Sequence, residues 1–392
     1  MDSKILTQML TDKNTFSFSK LKHKYGKENF NEYLSLMSDF FYRKISLKDF
    51  SGNHFVYSPA QVQIASQSLK QLMRTYSGEK YGIKAMEDEI VSTLFIENIE
   101  TTRESVREIL AGQAPMSQND EKAYGIKKGL DFISDPSNKI TIENLSRLYQ
   151  ITINDYLESD AKLPPGALYR NDSIYIADAS GHIVHSGLDH EKLPAYMDSL
   201  ITFINEDCDD IDQVLKSAMI HYYFAYLHPY FDGNGRIARL FQLWYLAQKG
   251  YTSALFIPFS LFVKQNRTGY YKSFKVISEN HETAKIQDMT PFLYFFTQKV
   301  FSQFENYNID DDVFEKFRAA LETGKVTEKE KELFYFVFSN YGLDEFSTKD
   351  LEKDFRNVAY ATVRTFVLKF EGIGLLRSQK YGARVKYKIN ER

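Results

Sequence analysis

The sequence predicts a mainly α-helical fold class, with one β-hairpin in the middle of the chain and a winged helix-turn-helix domain at its end. Three observations lead to this prediction. Apolar residues recur at intervals of three and four over most of residues 86–300, which is the spacing of helices with one buried face. Residues 173–187 instead alternate apolar and polar side chains around a Ser-Gly pair, as hairpin strands do. Residues 326–392 show three helical patterns followed by a second alternating segment.

The chain divides into four regions in sequence order. Residues 1–85 are predicted to be a helical N-terminal extension, which contains no set of residues suited to catalysis and is compatible with self-association into a homodimer. Residues 86–300 are the expected catalytic core. Residues 301–325 read as a connecting helix preceded by an acidic loop, and residues 326–392 as the winged helix domain.

The composition is that of a globular protein of two or three domains. The chain has 392 residues, of which 43% are hydrophobic and 15% aromatic. Its single cysteine, Cys208, excludes an intrachain disulfide framework and is compatible with a reducing compartment. The N-terminus lacks the pattern of a signal peptide, and the apolar runs are too short to cross a bilayer. We therefore expect a cytoplasmic protein without a membrane partner, and the net charge of −3 predicts no general attraction to nucleic acid.

The segment from His228 to Leu240, HPYFDGNGRIARL, carries the most chemical information in the chain. An apolar run over 219–227 predicts a helix that delivers His228 at its end. Pro229 disfavours continuation of that helix, because the residue before a proline is pushed out of the α region. The turn that follows, 232–235, is rich in glycine, which tolerates positive φ and leaves backbone N–H groups uncovered.

A helix opens directly after this turn. A glycine-flanked turn at a helix N-terminus binds anions, because free N–H groups and the positive end of the helix dipole converge there. Arg236 and Arg239 lie three residues apart, so both project from the same side of the first turns and can contact successive phosphates. Taken singly, the histidine could cap carbonyls, the turn residues could be ordinary turn formers, and the arginines could lie on a solvated face. Together they indicate phosphate binding.

The same segment resembles the motif of Fic-domain proteins, with Tyr230 standing where phenylalanine is commoner. Most members of that family transfer AMP from ATP to a hydroxyl side chain of a target protein, so the resemblance implies ATP as substrate, Mg²⁺ as cofactor, and a protein partner that presents a Tyr, Ser or Thr hydroxyl. The roles it implies are His228 as general base, Asp232 as Mg²⁺ ligand, Gly233, Asn234 and Gly235 as anion hole, Arg236 at the β-phosphate, Arg239 at the γ-phosphate, and Phe231 as the inward-pointing anchor of the loop.

Two further segments extend the resemblance. In Fic proteins a β-hairpin flap beside the motif receives the target by adding it as a strand, and Ile174, Tyr175 and Ile176 match the first strand of that flap. Strand addition gives backbone hydrogen bonds with little side-chain selectivity, so the target is not named by the sequence. A hairpin that only covers the core is the alternative. Downstream, residues 266–274 resemble the segment that closes the nucleotide pocket, with Asn266, Tyr270 and Tyr271 as candidate contacts near the base; aromatic residues at this spacing also suit a core.

The stretch STLFIENIE, residues 92–100, fits the family's inhibitory pattern of Ser or Thr, three residues, Glu, then Gly or Asn. Its members here are Thr93, Glu97 and Asn98. The resemblance implies that Glu97 pairs with Arg239, which would occupy the group that the γ-phosphate needs and hold the enzyme in an inhibited state. The alternative is an ordinary helix with a solvated glutamate. In some relatives the equivalent glutamate also helps water to remove AMP, so the reverse reaction stays open.

A second function competes with AMP transfer. The segment from Arg356 to Arg392 contains nine Lys or Arg residues and two Asp or Glu residues. This local excess of positive charge suits the phosphate backbone of a nucleic acid. The protein could therefore be a DNA-binding regulator whose core senses nucleotide or a partner. A protein-interaction role for the same domain is equally open. The complete set of His228, Asp232 and Arg236 favours the enzyme, because a sensor needs no general base.

Overall fold

The computed structural model describes residues 2–65, 83–159, 161–177, 183–206, 211–306, 316–317, 319–321, 323–341, 344–355, 358–382 and 384–390. Helices dominate this part of the chain, which confirms the predicted fold class. The helices before the central turn are α1 (Ser3–Leu10), α2 (Phe18–Tyr25), α3 (Lys27–Leu36), α4 (Ile83–Ile96), α5 (Arg103–Leu110), α6 (Gln118–Ser134), α7 (Ile142–Thr152), α8 (Leu193–Asn205) and α9 (Gln213–Leu227). Those after it are α10 (Asn234–Gln248), α11 (Phe259–Gln265), α12 (Arg267–Ala284), α13 (Thr290–Phe295), α14 (Glu328–Tyr341), α15 (Thr348–Phe355) and α16 (Tyr360–Gly372).

The strands form three separate antiparallel hairpins among the described residues. They are β1 (Arg43–Lys48) with β2 (His54–Tyr57), β3 (Tyr175–Ala177) with β4 (Ile183–Ser186), and β5 (Leu376–Tyr381) with β6 (Arg384–Ile389). The second pair is the hairpin predicted in the middle of the chain, with Tyr175 opposite Ser186. The Ser-Gly pair predicted as its turn lies outside the described residues.

The N-terminal region is not purely helical, and here the prediction is corrected. The β1–β2 hairpin presents Ile45 and Leu47 to the main hydrophobic core, and Phe55 is fully buried there. The hairpin is also tied to the core through its backbone, since the Val56 N–H donates to the carbonyl of Gln287 at 2.9 Å. The core therefore begins near residue 45, and the expected boundary at residue 85 does not separate two packing units. Helices α1–α3 form a smaller cluster of their own.

Helices α9 and α10 lie side by side at the centre of the main core and carry the motif turn between them. Nearly every side chain of both helices is buried, including Phe224, Phe241 and Trp244. Phe224 meets Phe241 edge to face at a centroid distance of 5.6 Å, a favoured geometry for an aromatic pair. Because both helices are packed on all sides, the turn that joins them is held at a defined position.

Polar residues that accept a backbone hydrogen bond set the start of the surrounding helices. Thr102, Ser117, Thr141 and Asp212 each cap a helix N-terminus with their side-chain oxygen, which satisfies N–H groups that have no partner within the helix. These starts are local, so they could be read from the sequence. Among the described helices, none combines the length and the hydrophobicity needed to cross a bilayer.

The C-terminal region packs around a hydrophobic cluster of its own. Its three predicted helices are α14, α15 and α16, and the predicted alternating segment is the β5–β6 hairpin. Phe346 adds a short antiparallel bridge to Tyr387 on β6. The assignment of this region as a winged helix domain, and its binding of DNA, stay predictions. Of the predicted connecting helix, the described part contains a 3-10 turn over Phe301–Asn306 and short helical pieces at 316–317 and 319–321.

Candidate functional site

The motif turn begins where α9 ends, at His228. This residue adopts a left-handed backbone conformation, with φ 50° and ψ 61°, and its N–H still donates to the carbonyl of Phe224 at 3.1 Å. Histidine is among the non-glycine residues that enter this region more readily. Pro229 follows and prevents further helix. Helix α9 therefore ends at the histidine, as the sequence predicted.

Asn234 holds the turn closed from within. Its side chain is buried and makes both bonds that an amide can share with one residue: Oδ1 accepts from the Tyr230 N–H at 3.0 Å, and Nδ2 donates to the Tyr230 carbonyl at 2.7 Å. A carboxylate or an aliphatic side chain could not do both. Asn234 thus fixes the shape of the turn, while its own backbone N–H remains at the N-terminus of α10.

The turn requires glycine at positions 233 and 235 for different structural reasons. Gly233 has φ 83°, which strains a residue with a Cβ, and a Cβ there would lie 2.6 Å from Cγ2 of Ile153. At Gly235 a Cβ would lie 2.5 Å from Oε1 of Glu97. The first N–H groups of α10 have no acceptor within the helix. These groups and the absent Cβ leave a concave backbone surface that suits an anion.

The anchor of the loop is Tyr230 and not Phe231, which corrects the expectation from the resemblance. Tyr230 is completely buried and stacks on Tyr149 with a centroid distance of 3.5 Å and an interplanar angle of 10°. Phe231 is only half-buried. The reversal follows from the direction of the chain after Pro229, which the tertiary contacts decide.

Asp232 is the candidate Mg²⁺ ligand, and its surroundings fit that role. Its side chain is 53% exposed, with Oδ2 2.7 Å from Nη2 of the buried Arg236 and Oδ1 accepting from the Gly233 N–H at 2.6 Å. Magnesium prefers hard oxygen ligands and commonly binds through one or two carboxylates together with substrate phosphates and water. No group of three or more potential metal-binding side chains occurs among the described residues. Within the motif segment 228–240 Asp232 is the one carboxylate, so substrate phosphates and water would complete the coordination shell.

Arg239 is buried, and the end of α4 surrounds it. Its Nε donates to Oγ1 of Thr93 at 2.8 Å, and its Nη2 lies 3.2 Å from the carbonyl oxygen of Thr93 and 2.6 Å from Oε1 of Glu97. Burial lowers the pKa of the Arg239 guanidinium, but the neighbouring Glu97 carboxylate and two phenols raise it by more. The structure thus brings together the two segments that the sequence singled out, 142 residues apart.

The end of α4 explains why the inhibitory pattern finishes with Asn. Asn98 has φ 58°, a left-handed conformation that asparagine and glycine tolerate best. The Ile99 N–H donates to the carbonyl of Leu94 at 3.0 Å and the Asn98 N–H to that of Phe95 at 3.1 Å, the paired bonds of a Schellman C-cap. Glu97 is therefore the C-cap residue directly before this left-handed position, and its carboxylate projects over Gly235.

Arg170 was missed by the sequence analysis, although it joins the motif turn to the segments that flank the β3–β4 hairpin. It is 2% exposed; its N–H donates to the carbonyl of Pro229 at 2.9 Å and its Nε to that of His228 at 2.9 Å. The same guanidinium donates to the carbonyls of Asp172, before β3, and Leu188, after β4. A buried arginine with backbone acceptors has no periodic signature, so the sequence offered no local signal for it.

The predicted flap residues occupy the start of this hairpin. The carbonyl of Ile174 accepts from the Gly187 N–H at 3.0 Å, and Tyr175 and Ile176 begin β3. The hairpin has two strands, so both strands lie at an edge of the sheet. Its role as an acceptor of a target strand stays a prediction.

The three candidates for base contacts take different positions. Tyr270 is buried in the helical core, where its hydroxyl bonds His221, and this placement argues against a contact with a base. Tyr271 is 44% exposed and donates to the carbonyl of Ile96 at 3.0 Å. Asn266 donates to the carbonyl of Phe262 at 3.2 Å. For Tyr271 and Asn266 the contact with a nucleotide stays a prediction.

Glu89 is a second residue that the sequence analysis missed. It precedes Thr93 by four residues on α4 and is completely buried, with its carboxylate accepting from the N–H and the hydroxyl of Ser260. Burial raises the pKa of this carboxyl to about 7, against the hydrogen bonds of Ser260 and the charge of Arg239. The spacing of Glu89, Thr93 and Glu97 on one side of the helix is the signal that could have identified it.

This burial predicts a pH-dependent stability. The folded state binds the proton up to about pH 7, whereas an unfolded glutamate loses it near pH 4.3. Between these values the folded state holds more protons, so the free energy of unfolding falls as the pH rises, by up to about 3 kcal/mol. Glu89→Gln should remove this slope in urea titrations from pH 4.5 to 7.5, while Glu108→Gln, an exposed carboxyl on α5, should keep it. Parallel curves for wild type and Glu89→Gln would contradict the expectation.

Comparison with known proteins identifies the domain that carries this site. Residues 139–246 match the model of the Fic/DOC family. The protein adenylyltransferase Fic of Drosophila erecta is 30% identical over 159 residues, which cover 39% of this chain and 28% of the relative. That of Drosophila ananassae is 26% identical over 213 residues, or 53% of this chain and 38% of the relative. The chain thus spans less than two fifths of the length of these curated relatives.

A solved structure supports the fold over a larger part of the chain. The crystal structure of a Fic family protein from Desulfovibrio desulfuricans G20 superimposes with a TM-score of 0.51 and covers 86% of this chain and 97% of its own. Its sequence identity is 18%, so the likeness concerns the fold alone. The segment that matches the Fic/DOC family model contains the whole motif turn, and the chain is similar to Fic-domain proteins in that segment and in its fold.

Proposed function

We propose that this protein transfers AMP from ATP to a hydroxyl side chain of a target protein, and that Glu97 inhibits the reaction. The observation that carries the proposal is the position of the Glu97 carboxylate. It lies over Gly235 at the start of α10 and pairs with Arg239. The Glu97 carboxylate therefore occupies the backbone surface that suits a phosphate, and the buried Arg239 guanidinium lies beside it.

The chemistry follows from the groups around the turn. The target hydroxyl oxygen attacks the α-phosphorus, its proton passes to the imidazole of His228, and the bond from the α-phosphorus to the bridging oxygen breaks to release pyrophosphate. A histidine suits this proton transfer near neutral pH. The N–H groups at the start of α10 stabilise charge on the α-phosphoryl oxygens, and Arg236 and Arg239 bind the β- and γ-phosphates. Held by Asp232, Mg²⁺ would neutralise further phosphate charge.

In the inhibited state the Glu97 carboxylate competes with the γ-phosphate of ATP for Arg239. While Glu97 holds the guanidinium, the γ-phosphate lacks its partner, and the α-phosphate is not drawn into line with the hydroxyl. Names of the curated relatives support AMP transfer as the reaction, since both are called protein adenylyltransferases. A target strand added to the β3–β4 hairpin would present its hydroxyl beside His228, because Arg170 ties the flap and the turn together.

Labelled ATP tests the reaction directly. The Glu97→Gly variant is incubated with Mg²⁺ and ATP carrying ³²P in either the α- or the γ-phosphate, and the protein is then separated on a denaturing gel. We expect label from the α position to enter the protein by self-modification and to be matched by released pyrophosphate. Incorporation from the γ position alone would identify a phosphotransferase and overturn the proposal.

A further inference from the structure

A continuous line of buried, hydrogen-bonded polar groups leads from the interior of α9 to Tyr270, beside the helix α10 that carries Arg239. His221 and Gln242 are 0% and 2% exposed, and Tyr270 is 3% exposed. Nδ1 of His221 lies 2.8 Å from Oε1 of Gln242, and its Nε2 lies 2.9 Å from the Tyr270 hydroxyl. Three buried polar side chains from three different helices are costly unless every one of them is satisfied. Each of the three has a hydrogen-bond partner in this line, which offsets the cost of its burial.

The hydrogen bond of Ser217 determines which atom donates and which accepts in each later bond of this line. The Ser217 hydroxyl donates its only proton to the carbonyl of Val214 at 2.6 Å, so towards Gln242 it can only accept. Nε2 of Gln242 donates to it at 3.3 Å, which turns the amide oxygen of Gln242 towards His221. That oxygen is an acceptor, and it therefore requires the proton of His221 on Nδ1.

The remaining link is then determined as well. Burial lowers the pKa of His221 to about 3, and the nearby Arg239 charge adds to this effect, so the ring is neutral. With its proton on Nδ1, Nε2 is an acceptor, and the Tyr270 hydroxyl must donate to it. The phenol proton consequently points away from Arg239, and the lone pairs of the phenol oxygen are left to face other groups.

Arg239 is the group that can use those lone pairs. Its Nη1 has no hydrogen-bond partner among the described residues, although the atom is buried. Arg239 precedes Gln242 by three residues on α10, so both project from the same side of that helix, where Gln242 bonds His221 and His221 bonds Tyr270. In keeping with this placement, burial raises the pKa of the Tyr270 phenol and the guanidinium charge opposes that rise. A guanidinium N–H turned towards an oxygen that can only accept would make a charge-assisted and directional hydrogen bond.

We propose that His221 and Tyr270 are positioning residues for Arg239: the hydrogen-bond line from Val214 keeps the Tyr270 oxygen an acceptor, and this oxygen orients the guanidinium for the γ-phosphate when Glu97 releases it. The inference rests on the proposed function, since it assigns the γ-phosphate to Arg239. It predicts that loss of the line weakens recognition of the third phosphate and leaves recognition of the first two intact.

Binding of ATP and ADP by the same variants separates this role from general damage. In the Glu97→Gly background, Tyr270→Phe removes the acceptor, and His221→Phe keeps the Tyr270 hydroxyl but no longer fixes its direction. Tyr245→Phe is the matched control, because it also removes a buried, hydrogen-bonded hydroxyl, which in this case bonds Gln213. Dissociation constants are measured by calorimetry with Mg²⁺, and thermal unfolding verifies that each variant is folded.

Tyr270→Phe is expected to reduce the preference for ATP over ADP by about five- to tenfold. His221→Phe should act in the same direction, and Tyr245→Phe should leave the preference unchanged. In an Arg239→Ala background Tyr270→Phe should have no further effect. A preference retained in both Tyr270→Phe and His221→Phe would overturn the inference while leaving the proposed function intact. If Glu97→Gly itself did not distinguish ATP from ADP, the assignment of Arg239, and with it the proposed function, would fail instead.

Discussion

His228→Ala is expected to lower the rate of AMP transfer by about 10²- to 10⁴-fold, the usual contribution of a general base. In the proposed reaction the imidazole takes the proton of the attacking hydroxyl, whereas the N-terminus of α10 and its arginines bind the phosphates. The loss should therefore appear in kcat, with the dissociation constant of ATP changed by no more than about twofold.

Two further variants make this experiment decisive. Alanine enters the left-handed region at position 228 less readily than histidine, so His228→Asn is included because asparagine tolerates that conformation and offers no suitable base. His228→Ala and His228→Asn should lower the transfer rate to the same extent. His23→Ala changes an exposed histidine on α2 and should retain full activity. If His228→Asn kept a rate within tenfold of wild type, another group would have to be the base.

Glu97→Gly is expected to increase AMP transfer by about 10- to 100-fold. A hydrogen bond to a charged group contributes about 1.5–3 kcal/mol, and each 1.4 kcal/mol corresponds to a factor of ten. Removing the carboxylate frees the Arg239 guanidinium and clears the space above Gly235, where Oε1 would lie 2.5 Å from an added Cβ. Transfer of α-label to the protein itself and to added targets measures the change.

Glu97→Gly should also lower the thermal stability of the protein when no nucleotide is bound. Arg239 is buried, so without nucleotide it loses the partner of its charge, and the melting temperature should fall. Saturating ATP should raise the melting temperature more in Glu97→Gly than in wild type, because in the variant the γ-phosphate replaces the missing carboxylate as the partner of Arg239. Glu100→Gly removes an exposed glutamate three residues further on and should change neither rate nor melting temperature. An unchanged transfer rate in Glu97→Gly would exclude inhibition by this residue.

The motif turn could be predicted because its determinants are local. Pro229 ends the helix before it, Gly233 accepts positive φ, and the helical spacing after it places Arg236 and Arg239 on one side. The contact of Glu97 with Arg239 was also anticipated, but by resemblance to a family and not by periodicity. The structure adds a reason for the pattern, since Asn98 occupies the left-handed position of a helix cap.

Other parts of the site could not be predicted, because they depend on which polar residues are buried. The alternation of residues 43–48 is too short to be distinguished from a loop, yet the β1–β2 hairpin completes the main core. Phe231 and Tyr230 are neighbours of similar hydrophobicity, and only the path of the loop decides which of them points inward. Arg170 has backbone acceptors at both ends of the flap and no recurring neighbour in sequence.

The sequence alone determined where the backbone must turn, which helix N-terminus suits an anion, and which residue types surround it. Each of these depends on backbone conformation and on interactions within a few residues. The tertiary structure decided which groups share the same buried volume: Glu89 with Ser260, Arg170 with the flap, and His221 with Tyr270 beside Arg239. Burial of charge and the direction of hydrogen bonds are properties of that shared volume, and they emerge only when distant segments are packed together.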